Sequence, residues 1–202
     1  MRPHQHILDW LSDVAGDLHA VRQDIHAHPE LGFEEHRTSK IVADLLREWG
    51  IETHTGIAGT GVVGRLKKGQ GGKTLGLRAD MDALPIAETN AFAHASTHDG
   101  VMHACGHDGH TAMLLAAARH LAEHGGFDGT LTLIFQPAEE GGGGALRMME
   151  DGLFERHPCD AIFAMHNMPG YPQGQLVFRS GPTMASSDYV TVTLYGNGGH
   201  GA

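Results

Sequence analysis

The octet His103-Ala104-Cys105-Gly106-His107-Asp108-Gly109-His110 is the stretch around which this 202-residue chain is organised. It offers one thiol and several imidazoles, which are groups that bind divalent metal ions. Two further stretches, Gln136-Pro137-Ala138-Glu139-Glu140 and Met165-His166-Asn167, add carboxylates and another imidazole. We predict that the three stretches occupy loops and meet at one metal site, and that the rest of the chain is scaffold.

Cys105 and His107 lie two residues apart in a glycine-containing segment, which we predict to be a loop that leads into a helix at Thr111. Such a loop lets both side chains reach one metal without helix geometry. Taken alone, Cys105 is better explained as a small buried hydrophobic residue. The neighbouring histidines favour the ligand interpretation, whereas Cys159 has no such neighbours and is interpreted as packing.

Glu139 and Glu140 are adjacent carboxylates that follow an apolar segment. Two carboxylates in one cleft repel each other unless a metal compensates one of them, which leaves the other as a free base. A base beside a metal ligand is the arrangement needed to take a proton from an activated water. The alternative is an exposed acidic turn before the glycines 141–144. Likewise, His166 alone would fit a core histidine, but its place at a strand end favours a ligand.

Hydrophobic periodicity predicts the regular elements. The predicted helices cover residues 7–25, 34–49, 111–124 and 145–151. The predicted strands cover 51–55, 62–66, 74–78, 130–135, 160–165 and an edge strand at 175–179. This alternation indicates an α/β fold in which helices sandwich a mostly parallel sheet.

The polar clusters come directly after predicted strands of this sheet. Asp80 and Asp82 follow 74–78, Glu139 and Glu140 follow 130–135, and His166 follows 160–165. In an open α/β sheet the carboxyl ends of the strands line the ligand crevice. We therefore expect these side chains to converge.

Two further segments bear on the fold, one rich in glycine and one with a β-rich pattern. Residues 59–64 match G-x-G-x-x-G, but the glycines and lysines at 67–72 exclude the helix that a dinucleotide site needs, so we predict a hairpin turn. After residue 186 the pattern becomes β-rich at 189–195. We predict a catalytic domain over 1–186 and the first strand of a second domain over 187–202.

Composition excludes several classes of protein. A formal net charge of −10 argues against a nucleic-acid surface. The longest unbroken apolar run, 112–118, is too short to span a membrane. Two cysteines do not make a disulfide framework, and no signal peptide is visible, so we expect a soluble cytoplasmic protein.

The seventeen histidines fit either metal ligation or a solvated surface. We predict surface or loop positions for His4, His6, His54, His94, His98, His120, His124 and His157.

The motifs together resemble those of the family of hippurate hydrolases, N-acyl-amino-acid amidohydrolases and auxin-conjugate hydrolases. Besides the three stretches above, the resemblance rests on Asp24-Ile25-His26-Ala27-His28-Pro29-Glu30-Leu31 and Arg78-Ala79-Asp80-Met81-Asp82-Ala83-Leu84-Pro85. It implies a zinc-peptidase-like catalytic α/β domain with two metals, followed by an inserted α/β lid domain that makes homodimers. Family members continue through the lid to a further histidine ligand, so we expect this chain to be an N-terminal part.

The resemblance also implies roles for individual residues. Metal ligation would fall to Cys105, His107, Glu140 and His166. Glu139 would be the general base and Asp82 an outer support for the ligands. Whether Asp80 contacts a metal is left open, because the wider superfamily often has a histidine there. His200, in a segment that resembles part of the lid, would reach the partner subunit's active site and stabilise an oxyanion.

The implied activity is metal-dependent hydrolysis of the amide bond of N-acyl amino acids, with hippurate-like or N-acetyl substrates. Mn²⁺ or Zn²⁺ is favoured, although the same donors accept Co²⁺ or Ni²⁺. One alternative is a dipeptidase or carboxypeptidase of the same superfamily; a dipeptidase would need an acidic anchor for a free α-amine, which the sequence does not identify. The other is an inert metal-binding fragment, against which the extra carboxylate beside a ligand argues.

Overall fold

The regular elements of the chain all lie before residue 165 in the part that the structure describes. The computed structural model describes residues 4–186, 188 and 190–200, and the chain divides into two units, Met1–Asn167 and Met168–Ala202. The elements of the first unit are α1 (Gln5–Ala27), α2 (His36–Glu48), β1 (Glu52–Ile57), β2 (Gly61–Lys68), β3 (Thr74–Asp80), α3 (His107–His124), β4 (Gly129–Gln136), α4 (Gly144–Glu150), α5 (Leu153–Arg156) and β5 (Ala161–Ala164).

The strands form one sheet in the order β1-β2-β4-β3-β5. The β3–β4 and β3–β5 pairings are parallel, whereas β1–β2 and β2–β4 are antiparallel. The predicted α/β fold is confirmed, with a sheet that is mixed rather than mostly parallel. The antiparallel pairing of β1 with β2 follows from the short hairpin that joins them, because a short hairpin permits only antiparallel pairing.

Helices cover both faces of the sheet, as predicted. On one face Leu46 of α2 and Leu115 of α3 pack against Phe135 of β4. On the other face Met148 of α4 packs with Ile134, the residue that precedes Phe135 in the same strand. Neighbouring residues of β4 point to opposite faces because side chains alternate along a strand.

The two N-terminal helices lie close to the predicted spans. Gly50 follows α2 with φ 71°, which is the left-handed conformation that ends many helices and that glycine adopts without a Cβ penalty. None of the helices in the described part of the chain combines the length and the apolar character needed to cross a bilayer.

The G-x-G-x-x-G segment lies at the β1–β2 hairpin: residues 59–60 belong to its turn, as predicted, and residues 61–64 begin β2. Gly59 has φ 87°, which is in the left-handed region. Gly61 begins β2 close to Ile57, and a Cβ added at Gly61 would lie 2.4 Å from the Ile57 carbonyl oxygen. No helix follows β2 before residue 74, so the dinucleotide interpretation is rejected. The glycines serve the tight turn.

Three local predictions differ from the structure. The sequence reasoning missed the short helix α5. Residues 175–179 are not a strand, and the described part of the predicted strand 189–195, residues 190–195, is not a strand either. The β-rich segment there has no paired neighbour in the described residues, and pairing is what makes a strand.

The domain boundary near residue 186 stays a prediction, and Ser187, Tyr189, Gly201 and Ala202 lie outside the described residues.

His157 is a correction to the predicted surface histidines, because its side chain is buried. Its ring lies 4.6 Å from the ring of His54, and neither ring nitrogen has a hydrogen-bond partner among the described residues. Burial, together with the charges of His54 and Arg65, lowers the pKa of His157 to about 4. The neutral imidazole is therefore the form that the fold accommodates.

Acid should weaken the fold through His157. Between about pH 6.5, the ordinary pKa of histidine, and about pH 4, the unfolded chain binds a proton at this position that the folded chain does not. Stability is therefore complete above this window and falls as the pH falls through it. We expect the free energy of unfolding, measured with urea, to fall less steeply in His157→Phe than in the wild type. The exposed-site control His19→Gln should follow the wild type, and equal slopes for His157→Phe and wild type would contradict the assignment.

Candidate metal centre

Polar side chains from three segments meet at the carboxyl ends of β3 and β4. Asp80 ends β3, Asp82 follows it, Glu139 and Glu140 follow β4, and His107 begins α3. The convergence predicted from the strand ends is present, since carboxylate oxygens from both acidic stretches lie within 4 Å of the ring nitrogens of His107. His107 is therefore the centre of the cluster.

Gly106 allows α3 to begin directly at His107. It has φ 82°, in the left-handed region, and a Cβ there would lie 2.7 Å from a side-chain oxygen of Asn167. The prediction that His107 lies in a loop is wrong, because this conformation lets the helix begin four residues before Thr111. Helix geometry consequently places His110 on the face of His107, with ring centroids 5.3 Å apart.

His107 is completely buried, and its two ring nitrogens have different surroundings. Its Nδ1 donates to Asp82 Oδ1 at 3.2 Å. Its Nε2 has no hydrogen-bond partner among the described residues, yet lies 3.7 Å from an Asp80 oxygen and 3.9 Å from one oxygen each of Glu139 and Glu140. When the ring is neutral and its proton is on Nδ1, Nε2 directs a lone pair toward these three carboxylates.

The electrostatics of the cluster favour positive charge. Burial lowers the pKa of His107, but the hydrogen bond to Asp82 and the charges of Asp80, Asp82 and Glu140 outweigh it, so this pKa is raised. Burial opposes ionisation of Asp82, but hydrogen bonds from His107 and the backbone of Glu140 lower its pKa. Asp82 therefore contacts both His107 and the stretch that contains Glu140, because it also accepts a 2.9 Å hydrogen bond from the Glu140 backbone N–H.

Cys105 and His166 form the other side of the cluster. His166 Nδ1 donates to the Asn167 carbonyl oxygen at 2.6 Å, which leaves Nε2 to accept from the Cys105 thiol at 3.3 Å. Burial, a hydrogen bond with Glu140 and the nearby carboxylate charges raise the pKa of Cys105 to about 12. The thiolate is therefore disfavoured here unless a cation accompanies it.

Among the residues that the structure describes, three sets of donor atoms are close enough to share an ion, and each contains His107. The sets are Cys105-His107-His166, Asp80-His107-His110 and His107-Glu139-Glu140, with donor atoms within 4.8 Å of one another in each set. The four predicted ligands and the predicted base, Glu139, are all among them. Asp82 lies behind His107 and outside these sets.

Asp80 and His110 brace the cluster. One Asp80 oxygen accepts from His110 Nδ1 at 2.6 Å and the other from the Arg78 guanidinium at 2.7 Å. Burial raises the pKa of Asp80, but these bonds and the charges of Arg78 and His107 outweigh it and bring the pKa to about 2. Both oxygens are engaged by protein donors, which favours a bracing role over ligation. His110 Nε2 in turn accepts from the Asn167 backbone N–H at 3.0 Å.

A second polar cluster, missed by sequence reasoning, lies beneath the first turn of α3. The buried Asp108 accepts from His26 Nδ1 and from Arg22 Nε, each at 3.0 Å, and His26 Nε2 also pairs with Glu88 at 3.2 Å. Nothing in the local pattern links these residues, because His26 and Asp108 are 82 positions apart. His103, although in the octet, belongs to none of the donor sets and is buried, which lowers its pKa to about 4.

His200 belongs to the second unit, Met168–Ala202. Its predicted contribution to a partner's active site stays a prediction.

An α/β sheet with a buried histidine, a thiol and several carboxylates at its carboxyl edge defines a domain of the metallopeptidase type. The chain belongs to the peptidase family M20/M25/M40, whose family model matches residues 76–199. This agrees with the resemblance found in the motifs, because hippurate hydrolase is among the relatives.

Three comparisons illustrate the family relationship. Hippurate hydrolase of Campylobacter jejuni is 50% identical over 97% of this chain and 51% of its own length. Thermostable carboxypeptidase 2 of Saccharolobus solfataricus is 44% identical over 97% of this chain and 49% of its own. The crystal structure of a dinuclear metal-binding M20 peptidase from Bacillus subtilis superposes with a TM-score of 0.75 at 41% identity, covering 80% of this chain and 45% of that one. The chain spans about half the length of these relatives.

Gly106→Ala should disturb the centre more than a glycine replacement elsewhere. Alanine at a left-handed position costs about 1–2 kcal/mol of conformational energy, and at Gly106 it would also press on Asn167, next to His166. Gly100→Ala is the matched control, because Gly100 has φ 75° and open space around it. We expect urea denaturation to show a loss about 1 kcal/mol larger for Gly106→Ala, the scale of an overpacked contact. Equal losses of stability in the two variants would show that the contact with Asn167 is not a reason for glycine at position 106.

Proposed function

We propose that this chain carries the metal-binding part of an amidohydrolase that cleaves the amide bond of N-acyl amino acids, with hippurate-like or N-acetyl substrates. The observation that carries the proposal is the buried Nε2 of His107, which lacks a hydrogen-bond partner among the described residues and faces three carboxylates. The similarity to hippurate hydrolase supports the substrate class.

The donors fit a divalent metal centre. Carboxylates crowded in one cleft repel each other, and the Cys105 thiol, with a pKa of about 12, resists ionisation. The Nε2 of His107 has no hydrogen-bond partner among the described residues. A cation at this point relieves all three. We propose Cys105, His107, Glu140 and His166 as ligands of two divalent ions, by analogy with the dinuclear Bacillus subtilis relative. Mn²⁺ or Zn²⁺ is proposed, with Co²⁺ or Ni²⁺ acceptable to the same donors.

Bound ions would act as Lewis acids that acidify water and polarise the acyl carbonyl group. In the proposed reaction Glu139, whose side chain is 42% exposed, takes the proton of the attacking water and then delivers it to the leaving nitrogen. Asp82 fixes the His107 tautomer through Nδ1 and holds the Glu140 backbone. His200 would stabilise the oxyanion in a partner subunit, in a homodimer formed through the lid domain that begins at 187–202.

Two alternatives differ in substrate or in activity. A carboxypeptidase is favoured by the similarity to the Saccharolobus enzyme, and would act on a peptide rather than on an acylated amino acid. An inert metal-binding module would have no use for Glu139 beside a ligand. A cytoplasmic location is part of the proposal, since both cysteines are free.

The roles of the adjacent carboxylates can be separated by two matched variants. In the Mn²⁺-loaded protein, Glu139→Gln should lower glycine release from hippurate by about 10²–10⁴, the range for a lost general base, and keep its bound metal. Glu140→Gln should lose metal in equilibrium dialysis, because a ligand is removed. Loss of metal from Glu139→Gln would make Glu139 a ligand and reject its role as base.

A further inference from the structure

Glu35, directly before α2, is a buried carboxylate that the proposed reaction does not use. Its side chain is completely inaccessible, and no ion pair involves it in the described part of the chain. A buried carboxylate without a cation is costly, so it persists only where hydrogen bonds hold it. Burial raises the pKa of Glu35, although its hydrogen bonds partly offset this rise.

Glu35 joins two segments that are far apart in sequence. One oxygen accepts from the Thr60 hydroxyl at 2.5 Å, in the β1–β2 turn. The other accepts from the Ala138 backbone N–H at 2.8 Å. Ala138 is the residue directly before Glu139 and Glu140. The carboxylate thus ties the start of α2 to the end of β4.

Ala138 has a backbone conformation that an alanine rarely adopts. Its φ is 49°, and it is almost wholly buried. Its methyl group lies between Gly32 and Gly142. A Cβ added at Gly32 would lie 2.9 Å from this methyl group, and a Cβ added at Gly142 would lie 2.6 Å from it. Its carbonyl oxygen accepts from the Gly144 backbone N–H at 3.0 Å. Residues held in sparsely populated conformations need surroundings that enforce them, and they cluster at functional sites.

The left-handed turn at Ala138 determines where the next two residues go. Without it, the chain would continue in the direction of β4 and carry both carboxylates away from His107. We infer that Glu35 is a positioning residue: by holding the Ala138 N–H in the left-handed turn, it directs Glu139 and Glu140 toward the metal centre. This inference deepens the proposed function and rests on it for the roles of Glu139 and Glu140.

A conservative variant separates positioning from mere packing. In Glu35→Gln the amide oxygen can still accept from the Ala138 N–H, and the Thr60 hydroxyl can rotate to accept from the amide nitrogen. Glu35→Ala removes both bonds. Glu34→Ala is the matched control, because Glu34 is the neighbouring glutamate and is exposed.

The first readout is Zn²⁺ affinity, measured by competition with a chromophoric chelator and needing no substrate. We expect Glu35→Ala to bind Zn²⁺ about tenfold more weakly, which is typical when an outer support of a metal ligand is lost. Glu35→Gln and Glu34→Ala should stay within about threefold of the wild type. The second readout is hippurate hydrolysis, in which Glu35→Ala should lower kcat more than it raises KM.

The outcomes distinguish the inference from the proposed function. If Zn²⁺ affinities follow the expected order and no N-acyl amino acid is hydrolysed by any variant or by the wild type, the proposed function fails and the positioning role stands. Unchanged Zn²⁺ affinity in folded Glu35→Ala overturns the positioning role. If Glu35→Ala does not fold, Thr60→Val replaces it: weaker Zn²⁺ binding than in Thr60→Ser supports the role, and equal binding overturns it.

Discussion

Repulsion among carboxylates around one buried imidazole is the constraint on which this structure depends. Three acidic side chains lie within 4 Å of the buried His107 Nε2: Asp80 is buried, whereas Glu139 and Glu140 reach the surface. Such an arrangement is unfavourable by itself, since like charges at short range repel each other. It becomes favourable when a cation occupies the centre, and this links the fold to metal chemistry.

The rest of the first unit keeps these groups in place against their repulsion. Parallel pairing of β3 with β4 brings Asp80 level with Gln136, so that both acidic stretches begin at the same edge. Arg78 and His110 neutralise Asp80, while Asp82 fixes the His107 ring from behind. Two left-handed residues, Gly106 and Ala138, then turn the chain toward the centre. Of these two, Ala138 has the strained backbone, because glycine adopts the left-handed conformation without a Cβ penalty.

The sequence predicts the helices and strands well because their apolar faces repeat with regular periods, and strand ends give the convergence of the acidic stretches. It does not predict that α3 begins at His107, because this depends on Gly106 adopting one of several conformations open to glycine. The contact between Glu35 and Ala138 spans 103 positions and leaves no local pattern. The burial of His157 is hidden for a similar reason: a lone histidine carries no periodic signal, and only tertiary packing against His54 reveals it.

The most direct test of this account is X-ray absorption spectroscopy of the Zn²⁺-loaded protein. The account predicts sulfur in the first coordination shell at about 2.3 Å, together with nitrogen and oxygen at about 2.0–2.2 Å. The sulfur contribution should vanish in Cys105→Ala and persist in Cys159→Ala. A shell without sulfur in the wild type, or a sulfur signal that survives in Cys105→Ala, would contradict the assignment of the octet around His107 as the metal centre.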